Sequence, residues 1–168
     1  MSAGQSAKDL LERLLGAPNA RDLSSEFLEE VGCFFDARGD AARARWMRLE
    51  REGYGARTEA TNLRDVLGSD APNDVVEAVL GSRRHYGRVV VGGVERRWPH
   101  FFVESVEELR RWEQRVSGRN QLTVEVELDI PLAEPGPRAL SFPRSIFGQV
   151  LTRLALDIGV ALQQMDDR

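Results

Sequence analysis

The chain has 168 residues, enough for one domain or two small ones, and its 42% hydrophobic content is that of an ordinary folded protein. A net charge of −4 and a pI near 5.3 exclude a global basic field that would draw the protein to nucleic acid or anionic lipid. The single cysteine excludes an internal disulfide, and no apolar run approaches the ~20 residues of a membrane span, so we expect a soluble, cytoplasmic protein.

The first half of the chain has the periodicity of helices, because its apolar residues recur at spacings of three and four. Gly39 is expected to adopt a left-handed C-cap, and Asp40 to cap the helix that follows. Cys33 lies among phenylalanines, which predicts a buried structural thiol. The five predicted helices cover about residues 6–15, 24–37, 41–52, 58–67 and 72–80.

Beyond residue 80 the apolar period changes from 3.6 to 2, which indicates strands. Ser105 and Glu108 have the spacing of a capping box. The stretch 131–143 contains four prolines and no period, so we expect a loop there. The predicted strands are 88–91, 94–98 and 122–130, with a continuation of the second through 101–103 left open, and the predicted helices are 105–116 and 144–165.

These elements predict an α+β fold: an N-terminal helical bundle followed by a small antiparallel sheet with two packed helices. We expect two domains, a helical one over residues 1–80 and a small α/β one over 81–168. The last helix has a broad apolar stripe, which is typical either of a core helix or of half a homodimer interface.

The string "VGCFFDARGDAARARWMRLE" (31–50) resembles the bacterial repeat-companion domain. Arg38, Gly39 and Asp40 match the R-G-D centre of its pattern, while Cys33 and Arg45 depart from it. The resemblance covers about a quarter of the chain at most. That family is a small helical module without an established activity, so the resemblance implies an accessory or scaffold role and supplies no catalytic residue.

Two adjacent glycines, Gly92 and Gly93, interrupt the first two predicted strands. A phosphate-binding loop would require a helix to follow them, whereas the sequence continues as a second strand toward Pro99. The glycines therefore predict a two-residue hairpin turn, since both central positions of a type I′ turn have positive φ. The resulting register pairs Val91 with Val94 and places Arg88 opposite Arg97.

The hairpin region is the positive part of an acidic chain, with nine basic and six acidic residues over 75–119. One interpretation is a surface that binds an acidic partner, with aromatic side chains available as anchors. The other is a solvated arginine-rich face that pairs with the protein's own carboxylates. The candidate partner-binding residues are Arg83, Arg84, Arg88, Arg97, Trp98 and Phe101.

Motifs of catalysis and metal binding are absent from the sequence: it has no Walker loop, no G-x-S-x-G and no H-E-x-x-H. Two histidines cannot by themselves build a typical zinc site. Glu125, Glu127 and Asp129 alternate along one strand face, where solvated carboxylates are the favoured interpretation over a divalent cation site. We therefore assign no catalytic, cofactor-binding or metal-binding residues.

The function that follows is a non-catalytic adaptor or scaffold subunit that binds another protein in a bacterial multi-protein system. The first alternative is nucleic-acid or nucleotide binding through the arginine-rich hairpin region. That partner is a weaker expectation, because nucleic-acid-binding domains usually have a basic pI. A further alternative is an enzyme with an unrecognised Arg/His/Tyr site within residues 83–100.

Overall fold

The computed structural model describes residues 6–16, 23–115, 121–127 and 137–166. A short 3₁₀ turn, Ala60–Asn62, precedes the fourth helix. The helices are α1 (Ala7–Gly16), α2 (Ser25–Asp36), α3 (Ala41–Glu52), α4 (Leu63–Leu67), α5 (Asn73–Arg83), α6 (Val106–Arg115) and α7 (Ile146–Asp166), and the strands are β1 (Arg84–Val91), β2 (Val94–Phe101), β3 (Gln121–Glu127) and β4 (Pro137–Pro143).

The α+β prediction is confirmed, with five helices preceding a four-stranded antiparallel sheet of order β2-β1-β4-β3. The sheet consists of two hairpins, β1–β2 and β3–β4. They meet at one registered pair, Arg88 with Ser141. Gly87 allows the close approach, because a Cβ there would lie 2.5 Å from Cγ of Leu140 and 2.9 Å from Cζ of Phe142.

Capping residues define the helix ends as the sequence predicts. The Ser24 hydroxyl accepts from the backbone N–H of Phe27, and the Asp40 carboxylate accepts from the N–H of Arg43. Gly39 has the predicted left-handed backbone, with a φ of 76°, but it lies two residues beyond the C-cap of α2, which is Ala37. In the capping box of α6, the backbone N–H of Ser105 donates to Glu108 Oε2 over 2.9 Å, and the hydroxyl of Ser105 accepts from the N–H of Glu108.

The prediction of a loop over 131–143 is wrong at its end, because β4 occupies Pro137–Pro143 and pairs with β1 and β3. The two prolines lie at the ends of the strand, where a missing N–H is tolerated. Between the prolines, Leu140 and Phe142 are both buried in the core, at the two-residue spacing of one strand face. The other elements differ mainly in length: α5 and both strands of the first hairpin are longer than predicted, while α4 is shorter. Residues 128–130 of the predicted third strand lie outside the described residues.

Two apolar clusters form the core, and α7 contributes to both. The larger combines α1–α5 with Phe101, Val106 and the second half of α7, so it includes residues from both sides of the predicted domain boundary at residue 80. The smaller lies between the inner face of the sheet, α6 and the first half of α7. α7 is long and apolar enough to cross a membrane by length and composition only, and half of its apolar window is buried in the fold.

Candidate functional site

The outer face of the β1–β2 hairpin points away from both core clusters. Gly92 and Gly93 have φ values of 58° and 79°, and the register of the hairpin is the predicted one, with Val91 opposite Val94. Side chains alternate between the two faces of each strand. The exposed residues that share the outer face are Arg84, Tyr86, Arg88 and Val90 on β1 and Glu95, Arg97 and Pro99 on β2.

The two opposed arginines on this face have different neighbours. Arg88 Nη1 lies 3.7 Å from Glu95 Oε1, and both side chains are more than half exposed. The guanidinium of Arg97 lies over the ring of Tyr86, 5.0 Å from its centroid. An exposed ion pair of this kind adds little stability. Both guanidinium groups therefore keep donors that a partner could use.

Apolar surface accompanies these charges. Tyr86 is 50% exposed, and the neighbouring Val90 is 63% exposed. Val94, at the tip of the hairpin, is 56% exposed on the opposite face. We call the group Arg84, Tyr86, Arg88, Val90 and Arg97 the hairpin face.

The sequence predicts Arg83 as part of this surface, and the structure corrects that assignment. Its side chain is completely buried and forms an ion pair with Glu50, which is also completely buried. Arg83 Nη1 donates to the carbonyl oxygens of Phe102 and Glu104, at 3.1 and 2.6 Å. Arg83 is thus unavailable to a partner of the folded protein.

The carboxylate of Glu50 is satisfied by donors other than Arg83 as well. Its Oε1 accepts from Trp46 Nε1 at 3.1 Å and from the hydroxyl of Tyr54 at 2.7 Å. Burial and the charge of Glu50 raise the pKa of Tyr54 well above its usual value. Burial alone would lower the pKa of Arg83, but the carboxylate of Glu50 outweighs it and the pKa is raised. These contacts link α3 to the start of β1 and the end of β2. They therefore position the hairpin face.

The aromatic residues proposed as anchors are also less accessible than expected. Phe101 is 8% exposed and packs edge-on against Tyr54, with ring centroids 5.6 Å apart. Trp98 is half-buried on the inner face, against the smaller core cluster. The aromatic side chain that the hairpin face does present is Tyr86, which alternation identifies once the strand is known to begin at residue 84.

The R-G-D residues of the repeat-companion-like string have local structural partners. Arg38 stacks on the ring of Phe34, 3.6 Å from its centroid, and Asp40 caps α3. The buried Arg43 that follows contacts the carboxylates of Asp40 and Asp74. The prediction for Cys33 in the same string is wrong, because its thiol is exposed.

His85 and His100 face each other across the hairpin on its inner side. The ring of His100 packs against Phe102 with centroids 4.8 Å apart, and His85 Nε2 lies 3.2 Å from the carbonyl oxygen of Ser82. Burial lowers the pKa of both histidines, and the charge of Arg153 adds to the effect on His85. Among the described residues, no group of three His, Cys, Asp or Glu side chains is arranged to hold a metal ion.

Three grooves border α7. One, of about 830 Å³, lies between α6 and the start of α7 and includes Glu113, Arg144 and Arg153. A second, of about 310 Å³, lies between α3, α5 and α7 and includes Asp74 and Asp157. The third, of about 990 Å³, lies beside the end of α7 and includes Asp40. Among the described residues, no histidine or cysteine lines any of these grooves.

Comparisons with known proteins found no match to this chain. No family model matches it, and neither a curated protein nor a solved structure does. The resemblance to the repeat-companion domain therefore stays a prediction from the quoted string.

Proposed function

We propose that this protein is a non-catalytic adaptor of the bacterial cytoplasm that binds another protein through the hairpin face. The observation that carries the proposal is the exposure of Tyr86 and Val90 beside three exposed arginines. Tyrosine and arginine are enriched among the residues that dominate protein–protein binding energy. Arginine also pairs with carboxylates in a two-pronged geometry. The partner we propose therefore presents acidic side chains around an apolar contact.

Nucleic-acid binding through the same face is the alternative, and Arg97 stacked on Tyr86 is the observation in its favour, because aromatic and arginine planes bind bases. The apolar surface of this face favours a protein partner instead. Val90 is 63% exposed on this face near the hairpin turn, and an apolar side chain adds nothing to phosphate binding.

The test is affinity capture of the tagged protein from its own cells, with and without nuclease, followed by reconstitution with the purified captured protein. Arg88→Glu/Arg97→Glu is the diagnostic variant. Arg48→Glu/Arg57→Glu is the matched control, since both arginines are exposed on the helical half and the net charge changes equally. We expect nuclease-resistant capture that the first variant loses and the control keeps. Capture that disappears with nuclease, or that both variants keep, contradicts the proposal.

A further inference from the structure

β2 is an edge strand of the sheet. It pairs with β1 along its whole length, from Val94 to Phe101, and the sheet order places it at the end. None of the described strands pairs with its other side. An exposed strand edge presents a row of backbone N–H and C=O groups, which is a template for pairing with another chain.

The register identifies which backbone groups of β2 point outward. A two-residue turn makes Val91 and Val94 a hydrogen-bonded pair, and such pairs alternate along an antiparallel ladder. The backbone N–H of Phe102 donates to the carbonyl of Arg83 at 3.1 Å, which fits this alternation. The odd-numbered residues of β2 therefore direct their backbone groups away from β1: Glu95, Arg97, Pro99 and Phe101.

Pro99 occupies one of these outward positions, where its missing N–H breaks no bond to β1. Beyond the strand, the carbonyl of Val103 accepts from the N–H of Tyr54 at 2.7 Å, so this end of the edge is already used by the chain itself. Within the described part of the chain, Val94–Trp98 is thus the stretch of this edge without a neighbouring strand, and the N–H groups of Glu95 and Arg97 point outward from it.

The charges on this part of β2 select the kind of strand that fits. Arg96 and Arg97 are both exposed and point to opposite faces of the sheet. Opposite charges across neighbouring strands stabilise the pair, and like charges destabilise it. A second copy of β2 that placed Glu95 opposite Arg97 would still bring Arg96 against Arg96. An extended segment with consecutive acidic residues would place one carboxylate beside each arginine.

We propose that the partner adds to the outer edge of β2 as an extended acidic segment, hydrogen-bonded to the backbone of Glu95 and Arg97. This inference rests on the proposed function, because it describes how the acidic partner engages the hairpin. It limits the added strand to the part of the edge before Pro99. It also requires the partner's backbone to contribute to the affinity. Binding by charge attraction alone would require no such contribution.

The first experiment uses the fluorescein-labelled peptide Thr-Val-Glu-Glu-Val-Thr as a defined probe. Its binding to the full chain is measured by fluorescence anisotropy at low salt. Two further probes carry backbone N-methyl groups, either on the odd or on the even residues, and a Lys-Lys peptide is the charge control. In an added strand only alternate N–H groups face the edge. We expect one N-methylated series to bind at least about tenfold more weakly and the other to bind within about twofold of the parent.

The second experiment changes the protein at the edge. Glu95→Pro removes an outward N–H, and Glu95→Ala removes the same carboxylate but keeps the N–H. We expect Glu95→Pro to bind the acidic peptide about fivefold more weakly than Glu95→Ala. Urea midpoints of the two variants establish that the hairpin persists, and the N-methyl comparison stands independently of either variant.

Equal effects of the two N-methyl series, or equal affinities of the two Glu95 variants, overturn strand addition. So does an acidic peptide that fails to bind at about 1 mM or binds no better than the Lys-Lys control. The N-methyl and Glu95 comparisons leave the proposed function untouched, and it fails separately if the captured partner ignores Arg88→Glu/Arg97→Glu.

Discussion

Arg83→Met tests whether the buried arginine belongs to the fold and not to the binding surface. The substitution keeps an unbranched apolar stem but leaves the buried carboxylate of Glu50 without its counter-charge. It also removes the donor to the carbonyls of Phe102 and Glu104. Breaking a buried pair by removing one partner costs about 3–5 kcal/mol, because a charge stays buried and uncompensated. That is a large share of the ~5–15 kcal/mol that stabilises a typical domain.

For a chain of this length, each kcal/mol shifts the thermal midpoint by about 2–4 °C, so Arg83→Met is expected to lower it by about 6–20 °C. Arg88→Met is the matched control, because Arg88 is exposed and its ion pair with Glu95 spans 3.7 Å. We expect its free energy of unfolding to change by less than about 0.5 kcal/mol. Urea unfolding followed by circular dichroism measures both. A loss for Arg83→Met within about 1 kcal/mol of the control would refute the reasoning.

The remaining predictions concern the sheet seam, the histidine pair and the thiol. Gly87→Ala is expected to cost about 1–3 kcal/mol in urea unfolding, since its Cβ overlaps the core, whereas Gly16→Ala, with no atom within 4 Å, is expected to cost nothing; equal effects contradict the account of the seam. His85 and His100 have lowered pKa values, so the unfolded chain binds more protons: stability is full above about pH 6.5 and falls as the pH drops through the folded pKa values. Urea midpoints at neutral and acidic pH measure this dependence, and replacing both histidines by Phe should reduce the difference between the two midpoints. An unchanged difference contradicts the assignment. Cys33 is expected to react with a disulfide reagent in the native protein as fast as in urea, and protection in the native state would contradict its exposure.

Local signals predicted much of the fold. Gly92 and Gly93 specified the hairpin register because positive φ at two adjacent residues is compatible with few turns. Ser24 and Asp40 marked helix starts because their side chains bond to backbone N–H groups only three residues away. Such features depend on neighbours in the chain and are therefore readable without the tertiary structure.

The incorrect predictions concern residues whose contacts are distant in the sequence. Arg83 looks like a surface residue until Glu50, which is 33 positions away, is brought against it. β4 looks like a loop because of its prolines, and its alternation becomes meaningful only when β1 and β3 lie on either side of it. For the hairpin face, the sequence predicted Arg88 and Arg97 opposite each other. It missed Tyr86, because the strand begins earlier than the apolar alternation indicates.

The central claim is that the hairpin face binds an acidic protein, and the most direct measurement is calorimetric titration of the purified captured partner into the wild type and the charge-reversed variants at two salt concentrations. We predict that Arg88→Glu/Arg97→Glu weakens binding at least about tenfold, since each interface anchor contributes more than about 1 kcal/mol. Higher salt should weaken the wild-type complex, and Arg48→Glu/Arg57→Glu should bind like the wild type. Equal affinities for all three proteins would contradict the claim.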